Sequence, residues 1–238
     1  MWGRPPFDFA QERVPVVQRE IFLEMQEFNC SAILFDLDGV LVDSTPSVDR
    51  FWRWWAAENG LDPETAVNVA HGRRTVETVR ILKRELNAEV EAVKLEKMEA
   101  DRTADVTVMP GAAELLASLP RERWCIVTSG TRYLATSRIA AGKLPTPEIL
   151  ITADDVKNGK PHPEPYLKGA QLLGIEPRHG LVVEDAPAGI RAAHAAGMKV
   201  IGLASTYKPE DLSGADAVVL SFIELNVVTN GMSIKVSR

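Results

Sequence analysis

The sequence predicts an α/β fold: a doubly wound parallel sheet with a helical cap inserted after its first strand. Three observations predict it. From residue 112 onward, short continuously apolar runs alternate with segments of helical period, the signature of repeated β–α units. An earlier apolar run, Ala32–Phe35, is followed instead by helical patterning as far as Val106. Finally, the apolar runs end in acids, hydroxyls and a lysine loop, and in open α/β sheets ligands bind beyond those ends.

Taken in order, residues 1–28 read as an N-terminal extension, with Arg19–Phe28 expected as a helix carrying Ile21, Phe22 and Met25 on one side. The core is expected over 29–44 and 108–238, and the cap over 45–107. Ala32-Ile33-Leu34-Phe35 is apolar throughout, as a strand covered on both faces should be. Ser44-Thr45-Pro46 then opens a helix, a capping hydroxyl followed by proline in the first turn. Val48, Phe51, Trp52 and Trp55 recur at helical spacing, and the tryptophans are assigned to the core. Val76, Val79, Leu82 and Leu86 form a second stripe, and Val90, Val93 and Met98 suggest another helix. Beyond the cap, helices are expected at Ala112–Leu119, Tyr133–Ala141, Pro163–Leu173 and Gly189–Ala196. Strands are expected at Trp124–Val127, Ile149–Ile151, Leu181–Val183, Val200–Leu203 and Ala217–Leu220.

Composition narrows the function. The 238 residues are 45% hydrophobic and 25% charged, enough apolar material for a sizeable core. A net charge of −6, without basic runs, argues against nucleic acid or an anionic membrane as partner. Cys30 and Cys125 flank or enter apolar runs and are expected as buried thiols, with no disulfide framework. No transmembrane run and no secretory leader is read from the sequence, so a cytoplasmic monomer is expected.

The strand ends carry the chemistry. Asp36 and Asp38 follow the first strand, Thr128-Ser129-Gly130 the Trp124 strand, Lys160 lies after the Ile149 strand, and Glu184-Asp185 closes the Leu181 strand. Clustered carboxylates repel one another unless a hard cation separates them, and Mg2+ prefers oxygen ligands. Asp36 and Asp185 are the leading candidate ligands, with Asp38 and Glu184 included in the metal set. Asp36 is then placed to attack phosphorus, and Asp38 to protonate the leaving alkoxide and later deprotonate water. Thr128 and the backbone N–H groups of Leu37–Gly39 and Ser129 are expected to hold the transferring oxygens, while Lys160 offsets charge. Ser44, Ser129 and Gly130 join the substrate-binding set.

These motifs resemble the haloacid dehalogenase-like superfamily over roughly residues 30–225, and its phosphatase branch in particular. Asp36-Leu37-Asp38-Gly39-Val40 looks like its first motif, and Thr128, Lys160 and Glu184-Asp185 fall on the other three. Dehalogenases of the superfamily lack the second aspartate, so Asp38 implies phosphoryl chemistry. The stretches His71–Thr75, Thr128–Arg132, Ile151–Val156, Gly159–Tyr166 and Glu184–Ile190 look like glycerol-phosphate and 2-deoxyglucose-6-phosphate phosphatases. The resemblance implies a small sugar or polyol phosphate as substrate, read by the cap residues His71, Gly72 and Arg74 and by Arg132. Arg74 in particular is expected to present its fork of donors to vicinal hydroxyls. Three alternatives compete with this reading. A β-phosphoglucomutase-like isomerase tends to carry Ser-Lys-Asn where this chain has Gly130-Thr131-Arg132. A binding scaffold would be expected to lose Asp36, Asp38 or Lys160. A nucleotide-dependent kinase would need a phosphate loop that Gly159-Lys160-Pro161 is not.

Overall fold

In the computed structural model, residues 26–101, 105–230 and 233–237 are described. The main sheet is built from β2 (Ala32–Phe35), β5 (Trp124–Val127), β6 (Leu150–Ile151), β7 (Gly180–Glu184), β8 (Lys199–Leu203) and β9 (Ala217–Val219). Their spatial order is β6-β5-β2-β7-β8-β9, and all pairings are parallel. This is the expected doubly wound α/β sheet. The alternation along β2 shows why both faces are covered. Ile33 and Phe35 belong to a core shared with α5 (Ala112–Ser118) and α6 (Arg132–Ala141), through Leu116, Ala135 and Ile139. Leu34 belongs to a second core with α7 (Glu164–Leu173) and α8 (Pro187–Ala195), through Tyr166, Ala170, Ile190 and Ala193. A strand buried on both sides has no use for polar alternation.

After β2 the chain runs through β3 (Val42–Asp43) into α1 (Thr45–Glu58), α2 (Pro63–Ala70), α3 (Thr75–Leu82) and α4 (Ala88–Ala100), and returns through β4 (Thr107–Val108). These helices enclose their own cluster around Phe51, Trp52, Trp55, Val67, Val79 and Leu95. The assignment of Trp52 and Trp55 to a core therefore holds. β3 and β4 pair antiparallel, Val42 opposite Val108, so the outgoing and returning strands form one narrow ribbon.

The helix expected around Val90, Val93 and Met98 is α4; Val90 and Val93 themselves are exposed, and the helix buries Ala88, Ala92, Leu95, Glu96 and Glu99. The reason is electrostatic as well as apolar, because Glu99 meets a buried arginine described below. The chain ends differ from expectation. Residues 27–28, expected in a helix, belong to β1 (Glu27–Cys30), while residues 19–25 of that helix lie outside the described residues. β1 pairs antiparallel with β11 (Ser233–Ser237), which pairs with β10 (Asn226–Asn230). This small sheet packs Phe28, Cys30 and Val236 onto the main core, so the tail beyond Asn226 is integral to the fold. Cys30 and Cys125 are buried free thiols, and burial raises the Cys30 thiol to about 12.

Candidate active site

Register brings the chemistry together. β2 pairs with β7 on one side, Phe35 opposite Val183, and with β5 on the other, Phe35 opposite Ile126. One residue further on, Asp36 lies between Glu184 and the Val127-Thr128 step. β2 comes first of the six strands in the chain and sits where the crossovers leave in opposite directions, which opens a crevice at the carboxyl ends. Asp36 remains on the ladder, its N–H donating to Val183 O at 3.0 Å.

Lys160 enters from the loop between β6 and α7. Its ammonium donates to Val127 O at 3.0 Å and to Glu184 Oε1 at 2.6 Å, and lies 2.9 Å from Asp36 Oδ1. The last contact is one of charge without hydrogen-bond alignment: Asp36 Oδ1 is a buried oxygen with no hydrogen-bond partner. Burial would lower the Lys160 pKa, but the charges of Asp36 and Glu184 outweigh it and hold the ammonium charged.

Glu184 is fully buried and fully bonded. Oε1 also accepts from Tyr166 Oη at 2.9 Å, and Oε2 accepts from the backbone N–H groups of Asp185 and Ala186, each at 3.0 Å. Gly189, in the first turn of α8, leaves room for it: a Cβ there would lie 1.6 Å from Oε1. Gly39 does the same for Asp185. It has φ +74°, and a Cβ would lie 2.0 Å from Asp185 Oδ2.

Oxygens of Asp36, Glu184 and Asp185 lie within 4.8 Å of one another, so these three could hold a cation. Burial pushes the Asp36 carboxyl up to about 7; Lys160 opposes this, and the charges of Glu184 and Asp38 add to it. Asp185 is raised well above the usual range by burial, then by Glu184 and Asp36, with Thr206 and Lys160 opposing. The single ammonium does not balance three buried acids. The donor set therefore fits a hard divalent ion held by oxygen. Glu184 has its lone pairs taken by Lys160, Tyr166 and two amides, which leaves Asp36 and Asp185 as the fitting pair.

The Asp38 carboxylate does not join that cluster of oxygens. Its Oδ1 accepts from Ser44 Oγ at 2.7 Å, and its Oδ2 pairs with Arg138 Nη1 at 2.7 Å. Ser44 thus occupies the cap position of α1 without capping; Asp43 Oδ1 takes the Thr45 N–H at 3.0 Å instead. The Gly39 N–H is also committed, donating to Val42 O at 2.8 Å, so it leaves the set of expected oxyanion donors. Thr128 Oγ1 accepts the Gly130 N–H at 3.1 Å, and Ser129 Oγ is 3.5 Å from Gly72 O across the cleft.

A cavity opens above these groups. Asp36, Asp38, Ser44, Thr128, Ser129, Gly130 and Asp185 line it from below, and Val48, Trp52, His71, Gly72 and Arg73 from the helical insertion. His71 Nε2 is fixed 2.9 Å from Asp49 Oδ1. Two expected substrate contacts are elsewhere. The Arg74 guanidinium donates to Lys157 O at 3.0 Å, Val156 O at 3.1 Å and Ala153 O at 3.4 Å, tying the insertion to the loop that carries Lys160. Arg132 donates to Leu150 O at 3.1 Å and Asp155 Oδ2 at 2.7 Å, outside the cavity. In both cases the fork is engaged by backbone carbonyls or an acid of the core.

The sequence model for haloacid dehalogenase-like hydrolases matches residues 30–197. The chain belongs to the haloacid dehalogenase-like hydrolase family. Among relatives, it is 42% identical over 203 residues to hexitol phosphatase A of Escherichia coli, covering 83% of this chain and 94% of that protein. It is 38% identical over 211 residues to glycerol-1-phosphate phosphohydrolase 1 of Saccharomyces cerevisiae, covering 83% and 84%. Among solved structures, β-phosphoglucomutase of Clostridium difficile superposes with a TM-score of 0.71 at 25% identity, covering 81% of this chain and 91% of that one.

The lining of this haloacid dehalogenase-like hydrolase includes polar and charged residues that sequence reasoning did not point to, among them Arg73, Glu99, Arg138 and Thr206. A signal existed for two. Arg138 falls between Leu134 and Ile139 on the apolar stripe of α6, and Glu99 falls four residues after Leu95 on that of α4. A charge on a buried stripe calls for a partner of opposite sign.

Proposed function

We propose that this protein is a Mg2+-dependent phosphatase of small sugar or polyol phosphates, acting through an aspartyl-phosphate on Asp36. The observation that carries the reading is Asp36 itself: a buried carboxylate at the switch point, beside one ammonium and Asp185, with an oxygen free of hydrogen bonds. The carboxylate forms a bond to phosphorus as the ester P–O bond breaks. Asp38, 27% exposed at its side chain and lining the same cavity, gives a proton to the departing alkoxide oxygen. It then takes a proton from the water that opens the acyl phosphate, releasing inorganic phosphate. Thr128 and the amides following Asp36 and Thr128 orient the phosphoryl oxygens, and Lys160 neutralises charge throughout. Asp36 and Asp185 would hold the Mg2+, which supplies charge neutralisation at the phosphoryl oxygens.

We take α1–α4 as the cap that closes over the leaving group, with the β3–β4 ribbon as its attachment. The names of the relatives support a polyol or sugar. So does the wall: Trp52 offers apolar surface to C–H groups, while His71 and Arg73 offer polar contact. The test is phosphate release from a panel of hexitol, glycerol and hexose phosphates with Mg2+. The expected result is turnover of at least one of these, abolished by chelator. Turnover confined to nucleotides or phosphopeptides would refute the substrate class, and conversion of a hexose phosphate to its isomer without phosphate release would refute hydrolysis.

A further inference from the structure

The proposed acid and base, Asp38, is one end of a buried chain of charges that reaches the insertion. Arg138 is a core residue on α6 with a side chain only 6% exposed. Its Nη1 meets Asp38 Oδ2 at 2.7 Å, and its Nη2 donates to Glu99 Oε1 on α4, whose side chain is equally hidden. A buried arginine between two acids is weak evidence of a purely stabilising role, because apolar residues of similar volume often serve as well. What the guanidinium does offer is a rigid planar fork, in which the position of one acid constrains the other.

The three residues belong to three parts of the chain. Asp38 is in the loop after β2, Arg138 on the core helix α6, and Glu99 in the last turn of α4 in the insertion. The β3–β4 ribbon carries the chain out to the insertion and back, while Arg74 and Glu99 hold the insertion against the core through side chains, so a rotation about the ribbon moves Glu99 relative to Arg138. Ser44, which fixes the other oxygen of Asp38, lies at the entrance to α1, one residue beyond that ribbon. Both oxygens of Asp38 are therefore held by groups whose position depends on how the insertion is seated.

We propose that Arg138 is a positioning residue that couples Asp38 to Glu99, so that Asp38 reaches the leaving-group oxygen only when the cap is seated. This rests on the phosphatase reading above and adds to it a residue that acts through Asp38. Its consequence is protection. With the cap open, Asp38 is out of register, and the site is less competent for an ester that needs its leaving group protonated.

The test uses Glu99→Gln, which keeps shape and hydrogen bonding but removes the charge, and Arg138→Lys, which keeps the charge but removes the fork. Leaving-group release is followed in single turnover with a polyol phosphate and with p-nitrophenyl phosphate, whose phenolate departs without a proton. Each variant should slow release from the polyol ester by about ten-fold or more beyond its effect on the aryl ester. KM for the polyol ester should change by less than about three-fold, and the double variant should lose no more than the worse single one. Circular dichroism melting confirms that both fold. Equal losses on the two esters, a loss confined to KM, or additive losses would overturn the coupling while leaving the phosphatase reading intact. Absence of phosphate release by the wild type from either ester would overturn both.

Discussion

Substituting Gly189 sets two physical effects against each other. Gly189 lies in the first turn of α8, where helix propensity alone favours alanine by about 0.8–1 kcal/mol. Sterically, the new methyl would lie 1.6 Å from Glu184 Oε1 and 1.9 Å from its Cδ, so the carboxylate must move by more than an ångström. Glu184 accepts four hydrogen bonds at 2.6–3.0 Å, from Lys160, Tyr166 and the amides of Asp185 and Ala186. A shift of that size breaks at least two, each worth about 1.5–3 kcal/mol when one partner is charged. The loss of roughly 3–6 kcal/mol exceeds the helix gain, leaving a net cost of roughly 2–5 kcal/mol. For a chain of this length that is a fall in melting temperature of about 4–20 °C. Activity should fall further, because Lys160 loses the acceptor that fixes it beside Asp36. Thermal melting and phosphate release on Gly189→Ala decide the matter. A variant as stable and active as wild type would show that Glu184 is not the scaffold of this site.

Asp36→Asn keeps the size of the nucleophile and removes its charge, so turnover should drop to background while the far-ultraviolet spectrum is unchanged; retention of more than a few per cent of activity would exclude the covalent route. Metal and proton should compete at the acidic cluster. Because Asp36 has a folded pKa near 7 against an ordinary 3.8, the metal-free folded state binds the proton more tightly than the unfolded chain, and that stabilisation is lost as pH rises from about 4 through about 7. Added Mg2+ should therefore raise the melting temperature more at about pH 8 than at about pH 5; an equal or reversed shift would remove the metal from Asp36 and Asp185. Arg74→Ala should lower kcat/KM for a polyol phosphate and an aryl phosphate alike, because its guanidinium holds the Lys160 loop through the carbonyls of Ala153, Val156 and Lys157. Arg73→Ala should weaken the polyol ester selectively, and the reverse pattern would return substrate reading to Arg74.

The sequence by itself determined the α/β class and the approximate places of the main strands. Apolar continuity over Ala32–Phe35 or Leu181–Val183 is a local property that follows directly from burial on both faces. It also placed Asp36, Thr128, Lys160 and the Glu184-Asp185 pair at the edge of one sheet, since parallel strands put their ends together whatever packs around them. Three further matters were decided only by tertiary structure. Arg73 and Arg74 are adjacent in the chain, yet one lines the cavity and the other is taken up by core carbonyls, a choice made by how the insertion docks. Glu184 and Asp185 are adjacent carboxylates, but the amides and side chains around Glu184 use all its lone pairs, while Asp185 stands beside Asp36 without that set of partners. Asp38, Glu99 and Arg138 are far apart in sequence, and β1 and β11 lie at opposite ends of it. Contacts of that kind depend on the relative placement of whole elements, because a side chain's hydrogen-bond partner is set by what the packed elements bring within about 3 Å of it.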